Sequence, residues 1–162
     1  MKKANVVKFN PKKKVDVLER IALLGLLPKE GSFANLKLLR VVKENLSFNE
    51  SENRALQFRQ ETVDGIPMMV WNIIRLKNKT TGDIVRAPNA VLQQMAAQDP
   101  DAFEVTPACP AKEIFFGEVI EGLIRKVLKE LDKAEKLTAD HYSLYEKFME
   151  GHEEETGGGT RH

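Results

Sequence analysis

The sequence predicts an α+β fold: a helical N-terminal part, a small, mostly antiparallel sheet, and a C-terminal helical pair around one long amphipathic helix. Three observations predict it. From Gly117 to Lys133, apolar residues fall at Val119, Ile120, Leu123, Ile124, Val127, Leu128 and Leu131. That is the i, i+3, i+4, i+7 spacing of a helix with one wide apolar face. Between Phe58 and Arg86 the pattern changes to short runs rich in β-formers, divided by Asp64-Gly65 and by Thr80-Thr81-Gly82-Asp83, which is turn chemistry. At 162 residues, 42% hydrophobic and 30% charged, the chain has the composition to build a core as a single domain over residues 1–150.

In order, Val6–Phe9 reads as a short strand at the end of a basic arm, residues 1–10. Asn10-Pro11 reads as a cap with proline at the first helical position, opening a helix to about Leu26. That helix carries Val15, Leu18, Ile21, Ala22 and Leu24; Pro28 and Gly31 end it. Ser32 caps a second helix, Phe33 to about Asn45, which buries Leu36, Leu39, Val42 and Leu46 and also shows Leu38 and Val41. Ser47 and Glu50 have the spacing of a capping box and start a short third helix to about Leu56. Strands follow at Phe58–Thr62, Met68–Leu76 and Ile84–Arg86, an antiparallel meander in which Pro67 can stand only at a strand start or edge. A helix spans Ala90–Gln98 after Ala87-Pro88-Asn89. DPDAFEVTPACP, residues 99–110, holds three of the seven prolines and reads as a surface loop or an ordered insertion. Glu113–Phe116 reads as a closing strand before the long helix, which at 1.5 Å per residue is roughly 25 Å long. Lys136-Leu137-Thr138 then caps a last helix, Ala139–Glu150, the most aromatic of all. Residues 151–162 read as a flexible acidic and glycine-rich tail.

The formal charge of +1 creates no global field to steer nucleic acid or membrane. The charge is uneven, however: residues 1–14 hold Lys2, Lys3, Lys8, Lys12, Lys13 and Lys14 and no acid. No apolar run approaches the ~18–20 residues of a membrane span. The basic N-terminus lacks the apolar core of a signal peptide, so the expected location is cytoplasmic. The single cysteine, Cys109, excludes an internal disulfide and a cysteine-rich zinc site.

The catalytic inventory is thin. His141, His152 and His162 are the only histidines. Cys109 and His141 are the one combination that could form a nucleophile–base pair, and a small packing cysteine is the plainer account of Cys109. His152 beside Glu153, Glu154 and Glu155 offers metal ligands on a tail without rigid geometry. No phosphate-binding loop, dinucleotide fingerprint, zinc-protease or calcium-loop motif occurs. The expectation is therefore a non-enzymatic protein with no cofactor, metal or small-molecule ligand.

Two classes remain. Tyr142, Tyr145, Phe148 and Met149 on the last helix, and Trp71 with Met68 and Met69, are residue types enriched where partners dock; ordinary packing, for the last helix against Leu123–Leu131, is the other reading, and Tyr142, Tyr145, Phe148, Met149 and Trp71 are the candidate partner-binding residues. The alternative is a nucleic-acid-binding regulator, in which the arm lysines contact phosphates and helices over 33–56 form a helix-turn-helix. Glu50 and Glu52 at the N-terminal end of the recognition helix argue against that geometry.

PKEGSFANLKLLRVVKENLSFNESE (28–52) and LDKAEKLTADHYSLYEKFME (131–150) resemble segments of small accessory and structural proteins of tailed phages and prophages. The likeness covers about a quarter of the chain, offers no counterpart to residues 73–112 and transfers no functional residue. It implies a phage-encoded accessory or virion component, found in host cytoplasm or virion, that acts through contacts with a protein partner or by self-association.

Overall fold

The computed structural model describes residues 12–150. The strand expected over Val6–Phe9, the Asn10-Pro11 cap, Lys2, Lys3 and Lys8, and the tail with His152 and His162 lie outside them. The fold is α+β, with helices and two-stranded antiparallel pairs. The chain divides into two compact units: residues up to Ser47 together with those from Ala111 onward, and Phe48–Pro110, which is inserted between them in sequence.

In the first unit, β1 (Lys13–Val15) pairs antiparallel with β6 (Lys112–Ile114), Lys13 opposite Ile114 and Val15 opposite Lys112. The expected first turn of helix is therefore a strand. Helix α1 (Val17–Leu26) starts at Asp16, whose carboxylate accepts from the Glu19 amide while Glu19 Oε1 accepts from the Asp16 amide, a reciprocal cap. Helix α2 (Phe33–Leu46) starts at Ser32 as expected, with its hydroxyl accepting from the Asn35 amide at 3.1 Å. The long helix α5 occupies Gly117–Lys133, as the apolar spacing predicts. Ile120, Ile124 and Leu128 are buried at i, i+4, i+8, whereas Val119 is about half exposed. Around them pack Val15, Leu23, Leu27, Leu39, Val42, Leu46, Ile114 and Phe116.

The last helix is not one α-helix. A 3₁₀ turn (Ala139–His141) leads into α6 (Tyr142–Tyr145) and a π-helical stretch (Glu146–Glu150). The wider π turn lets Leu144, Phe148 and Met149, at i, i+4 and i+5, all enter the core.

Charge is also buried in this unit. Glu19, 2% exposed, accepts from Lys147 Nζ at 2.7 Å. Burial alone would push its carboxyl up. The hydrogen bonds from Lys147, Ser143 and the Asp16 amide, with the Lys147 charge, outweigh that and hold it below the ordinary 4.5. A folded carboxyl of lowered pKa stabilises above its unfolded value, and that stabilisation fades as pH falls through the folded one. Melting between pH 7 and pH 3 should therefore show wild type losing its advantage over Glu19→Gln below about pH 4.5. A wild-type–variant difference that stays constant across that range would refute the assignment.

In the second unit, α3 (Glu50–Leu56) is capped by Asn49 with Glu52, two residues beyond the expected Ser47–Glu50 box. Ser47 instead closes α2, its hydroxyl and amide both donating to the Lys43 carbonyl. β2 (Arg59–Val63) and β3 (Ile66–Val70) form a hairpin, whose turn residues Asp64 and Gly65 take φ of 53° and 80°, as a two-residue turn of this twist requires. The expected long strand over Met68–Leu76 is broken. β4 begins only at Ile74 (Ile74–Asn78), because Trp71–Ile73 leaves the ladder. The Asn72 amide donates to the Leu56 carbonyl at 2.7 Å, and the Ile73 and Ile74 amides donate to Asn89 Oδ1.

Helix α4 spans Asn89–Gln98, with that Asn89 side chain turned back to β4. β4 pairs with β5 (Phe103–Pro107) in the stretch expected as a surface loop or an ordered insertion, and Ile84 makes a single bridge to Lys77 in place of the expected strand over Ile84–Arg86. There is thus no meander: β2–β3 and β4–β5 are separate ribbons. Leu56, Leu76, Leu92 and Ala108 are buried in this unit.

Candidate functional site

The β2–β3 ribbon is the least covered regular element of the second unit. Every residue from Gln60 to Met69 is exposed. In its register, Val63 stands opposite Ile66, Glu61 opposite Met68 and Arg59 opposite Val70. Side chains alternate between faces, so one face carries Val63, Ile66, Met68 and Val70 with Arg59 and Glu61, and the other carries Gln60, Thr62, Pro67 and Met69. Ile66 is 62% exposed and Met69 53%. Arg59 anchors the base: its Nη1 donates to the Gln57 carbonyl at 3.0 Å and to Asn72 Oδ1 at 3.2 Å, and its Nε lies 3.2 Å from Glu61 Oε2. Phe48 meets Phe58 edge to face, and Phe58 meets Trp71 at a tilt, with centroids 5.2 Å and 5.8 Å apart.

The same unit holds a cavity of about 150 Å³. Arg54, Arg75 and Arg86 line it with Ser51, Gln57 and Asn72 over Ile74, Ile84 and Leu92. No carboxylate lines it; Arg54 reaches Glu50 at 2.9 Å. Three guanidinium groups without an acid among the lining residues suit an anion, with Arg providing fork-shaped donors. In the first unit a shallow, mostly basic stripe runs along α5 through Arg125, Lys126, Lys129 and Lys133, with Glu130 among them and Arg125 3.5 Å from Glu121.

The residues singled out from the sequence divide by burial. Phe148 and Met149 are in the core, Phe148 edge-on to Phe116 with centroids 5.2 Å apart; they offer no surface to a partner, because the π turn directs them inward. Tyr145 packs against the same core and donates to Asp132 Oδ2 at 3.2 Å. Tyr142 is 68% exposed. Trp71 is half-buried against Phe58.

Of the arm lysines within the described residues, Lys13 stands 5.2 Å over the Phe148 ring and donates to the Lys147 carbonyl. The Lys14 carbonyl accepts from Lys147, and Lys12 is exposed. Helix α2 belongs to the first unit and α3, with seven residues, to the second. His141 caps its own turn, Nδ1 accepting from the Thr138 amide at 3.1 Å. The Cys109 thiol donates to Glu52 Oε2 at 3.5 Å. Among the described residues, no three His, Cys, Asp or Glu side chains converge where a metal ion could sit, and no helix is long and apolar enough to cross a membrane.

Sequence reasoning raised Met68 and Met69 of this ribbon, with Trp71, as an interface or as packing, without singling out the ribbon itself. The signal was present in IPMMV, residues 66–70, where apolar residues occupy both faces of a strand that Pro67 confines to an edge. Comparison with protein-family models, with curated proteins and with solved structures returned no match.

Proposed function

We propose that this protein is a non-enzymatic docking or assembly component that works through the β2–β3 ribbon. One observation carries the reading: a two-stranded ribbon with Val63, Ile66, Met68 and Met69 exposed. A two-stranded hairpin alone is marginal in water and gains stability from further strands or a covering surface. Clustered exposed apolar side chains mark interaction sites, and an open strand edge is a recurrent mode of peptide recognition. The resemblance of residues 28–52 and 131–150 to phage accessory and structural proteins points the same way, to a phage-encoded component acting in the host cytoplasm or in the virion.

Light scattering and cross-linking should show an oligomer or a retained partner. Ile66→Lys combined with Met68→Lys should abolish it while leaving the thermal melt in place. A strictly monomeric wild-type protein that retains nothing sinks the reading.

Nucleic-acid binding is the second reading. What favours it is the cavity lined by Arg54, Arg75 and Arg86 and the basic stripe of α5, in addition to the arm lysines. It requires retention on DNA-cellulose at ~50 mM salt and release by ~200 mM. Flow-through at the lower salt rejects it.

A further inference from the structure

We infer that a second copy of this chain is the partner that β2 takes, edge to edge and antiparallel, about a two-fold axis through Gln60. The inference rests on the docking reading and names its occupant. In a hairpin closed by two residues, the flanking pair Val63–Ile66 exchanges main-chain hydrogen bonds, and the pattern alternates from there. The amides and carbonyls of Arg59, Glu61 and Val63 therefore point to β3, and those of Gln60 and Thr62 point outward. On β3 the outward positions are Pro67 and Met69. Pro67 has no N–H to give, which blunts that edge. The outer edge of β2 keeps all its donors, and among the described residues β2 pairs with β3 alone.

Charge selects the occupant and the register. Arg59 and Glu61 flank Gln60 on the other face of the strand, so the segment Arg-Gln-Glu is its own electrostatic complement when reversed. Centred on Gln60, an antiparallel copy places Arg59, which lies 3.2 Å from Glu61 of its own strand, opposite Glu61 of the second copy, and Glu61 opposite its Arg59, so that the four charges alternate in sign. Opposite charges directly across are favourable, and like charges are not. Sliding the axis to Glu61 sets two carboxylates face to face and loses both pairs. The Gln60 register is also the one in which outward-pointing groups meet outward-pointing groups: Gln60 meets Gln60, and Thr62 meets Phe58, with about six main-chain hydrogen bonds. The contact is isologous and closed, and it turns two marginal ribbons into one four-stranded sheet.

Disulfide trapping tests this on the full chain carrying Cys109→Ser. On the axis, Gln60 Cα atoms of the two copies lie ~5.5 Å apart, inside disulfide reach. Thr62 lies four residues out of register with its counterpart, about 13 Å along the strand. Under mild oxidation, Gln60→Cys should give a covalent dimer and Thr62→Cys should not, with both variants melting like the parent. Adding Glu61→Arg to Gln60→Cys sets like charges across and should cut the dimer yield about three- to tenfold. Equal yields at the two positions, or an undiminished yield with Glu61→Arg, overturn the pairing. If wild type associates in light scattering while position 60 shows no preference, the two-fold pairing is overturned and the ribbon remains a docking element for something else. No association of any kind overturns both.

Discussion

Arg20→Leu should destabilise the unit built from residues up to Ser47 and from Ala111 onward by about 3–4 kcal/mol. Arg20 is completely buried. Its Nε donates to the Leu46 carbonyl at 3.0 Å and its Nη2 to the Ser47 carbonyl at 2.6 Å. These are among the carbonyls that the end of α2 leaves without intrahelical partners. Lys112 Nζ takes the neighbouring Asn45 carbonyl at 2.8 Å, so two cations sit at the negative end of the helix dipole.

Replacing a buried ion pair by apolar residues is often neutral. That argument does not reach these two bonds, because their acceptors are main-chain carbonyls that no substitution can remove. Leucine would leave the buried Leu46 carbonyl unpaired, at about 1–3 kcal/mol, and take the charged donor from the part-buried Ser47 carbonyl. Lysine should not rescue the loss, since a single ammonium cannot reproduce the fork that reaches two carbonyls. Hydrogen exchange of the α2 and α5 amides reads the effect unit by unit. A loss below about 1 kcal/mol would show the carbonyls have found water.

The second large effect belongs to the inserted unit. Asn72→Ala should cost about 2–3 kcal/mol there. Asn72 is 1% exposed; its Nδ2 donates to the Ala87 carbonyl at 2.9 Å and its Oδ1 accepts from Arg59. Alanine keeps the main-chain bond to Leu56 and loses both others, leaving the part-buried Ala87 carbonyl unpaired and Arg59, at the base of the ribbon, without one of its acceptors. The β2, β3 and β4 amides should lose protection together, and proteolysis should concentrate near Trp71–Ile73. Asn72→Asp is the control: it keeps the size and the Arg59 contact but turns an acceptor toward the Ala87 carbonyl, so it should not restore stability. If the β2–β3 amides stay as protected as in wild type, the network does not hold the ribbon.

Both residues show where the sequence was legible and where it was not. The long helix was readable to the residue, because seven apolar positions repeat at the helical period and Gly117, which takes a positive φ of 82°, marks its start. Ser32 and Asp64-Gly65 were readable because caps and tight turns are local chemistry. Arg20 was not: nothing in its neighbourhood says that an arginine will be buried, since its partners are 26 and 27 residues away. Glu121, 5% exposed on the same helix as the apolar stripe, has its partner Arg125 only four residues on, and what hides it is the packing of the rest of the unit. The strand over Met68–Leu76 was overextended because β-formers run through it without a break. The break comes from Asn72 and Asn89, whose partners at Leu56, Ala87 and Ile73 only folding brings close. β5 was missed because prolines and acids surround a strand whose pairing partner lies some thirty residues earlier.

The candidate site follows the same division. The aromatic last helix reads from the sequence both as an interface and as packing on the long helix, because Tyr, Phe and Met suit either. The π turn, a feature of packing against Phe116 and α5, sent Phe148 and Met149 inward and left Tyr142 out.

The sequence alone determined the fold class, the long helix and the tight turns, since those depend on periodicity and on backbone chemistry within a few residues. Only the tertiary structure decided which apolar residues are core and which are surface, that the middle of the chain forms its own unit, and that the β2–β3 ribbon stands uncovered. The reason is that burial is a property of what the rest of the chain brings to a residue: the same methionine is core or docking surface according to whether another element reaches it.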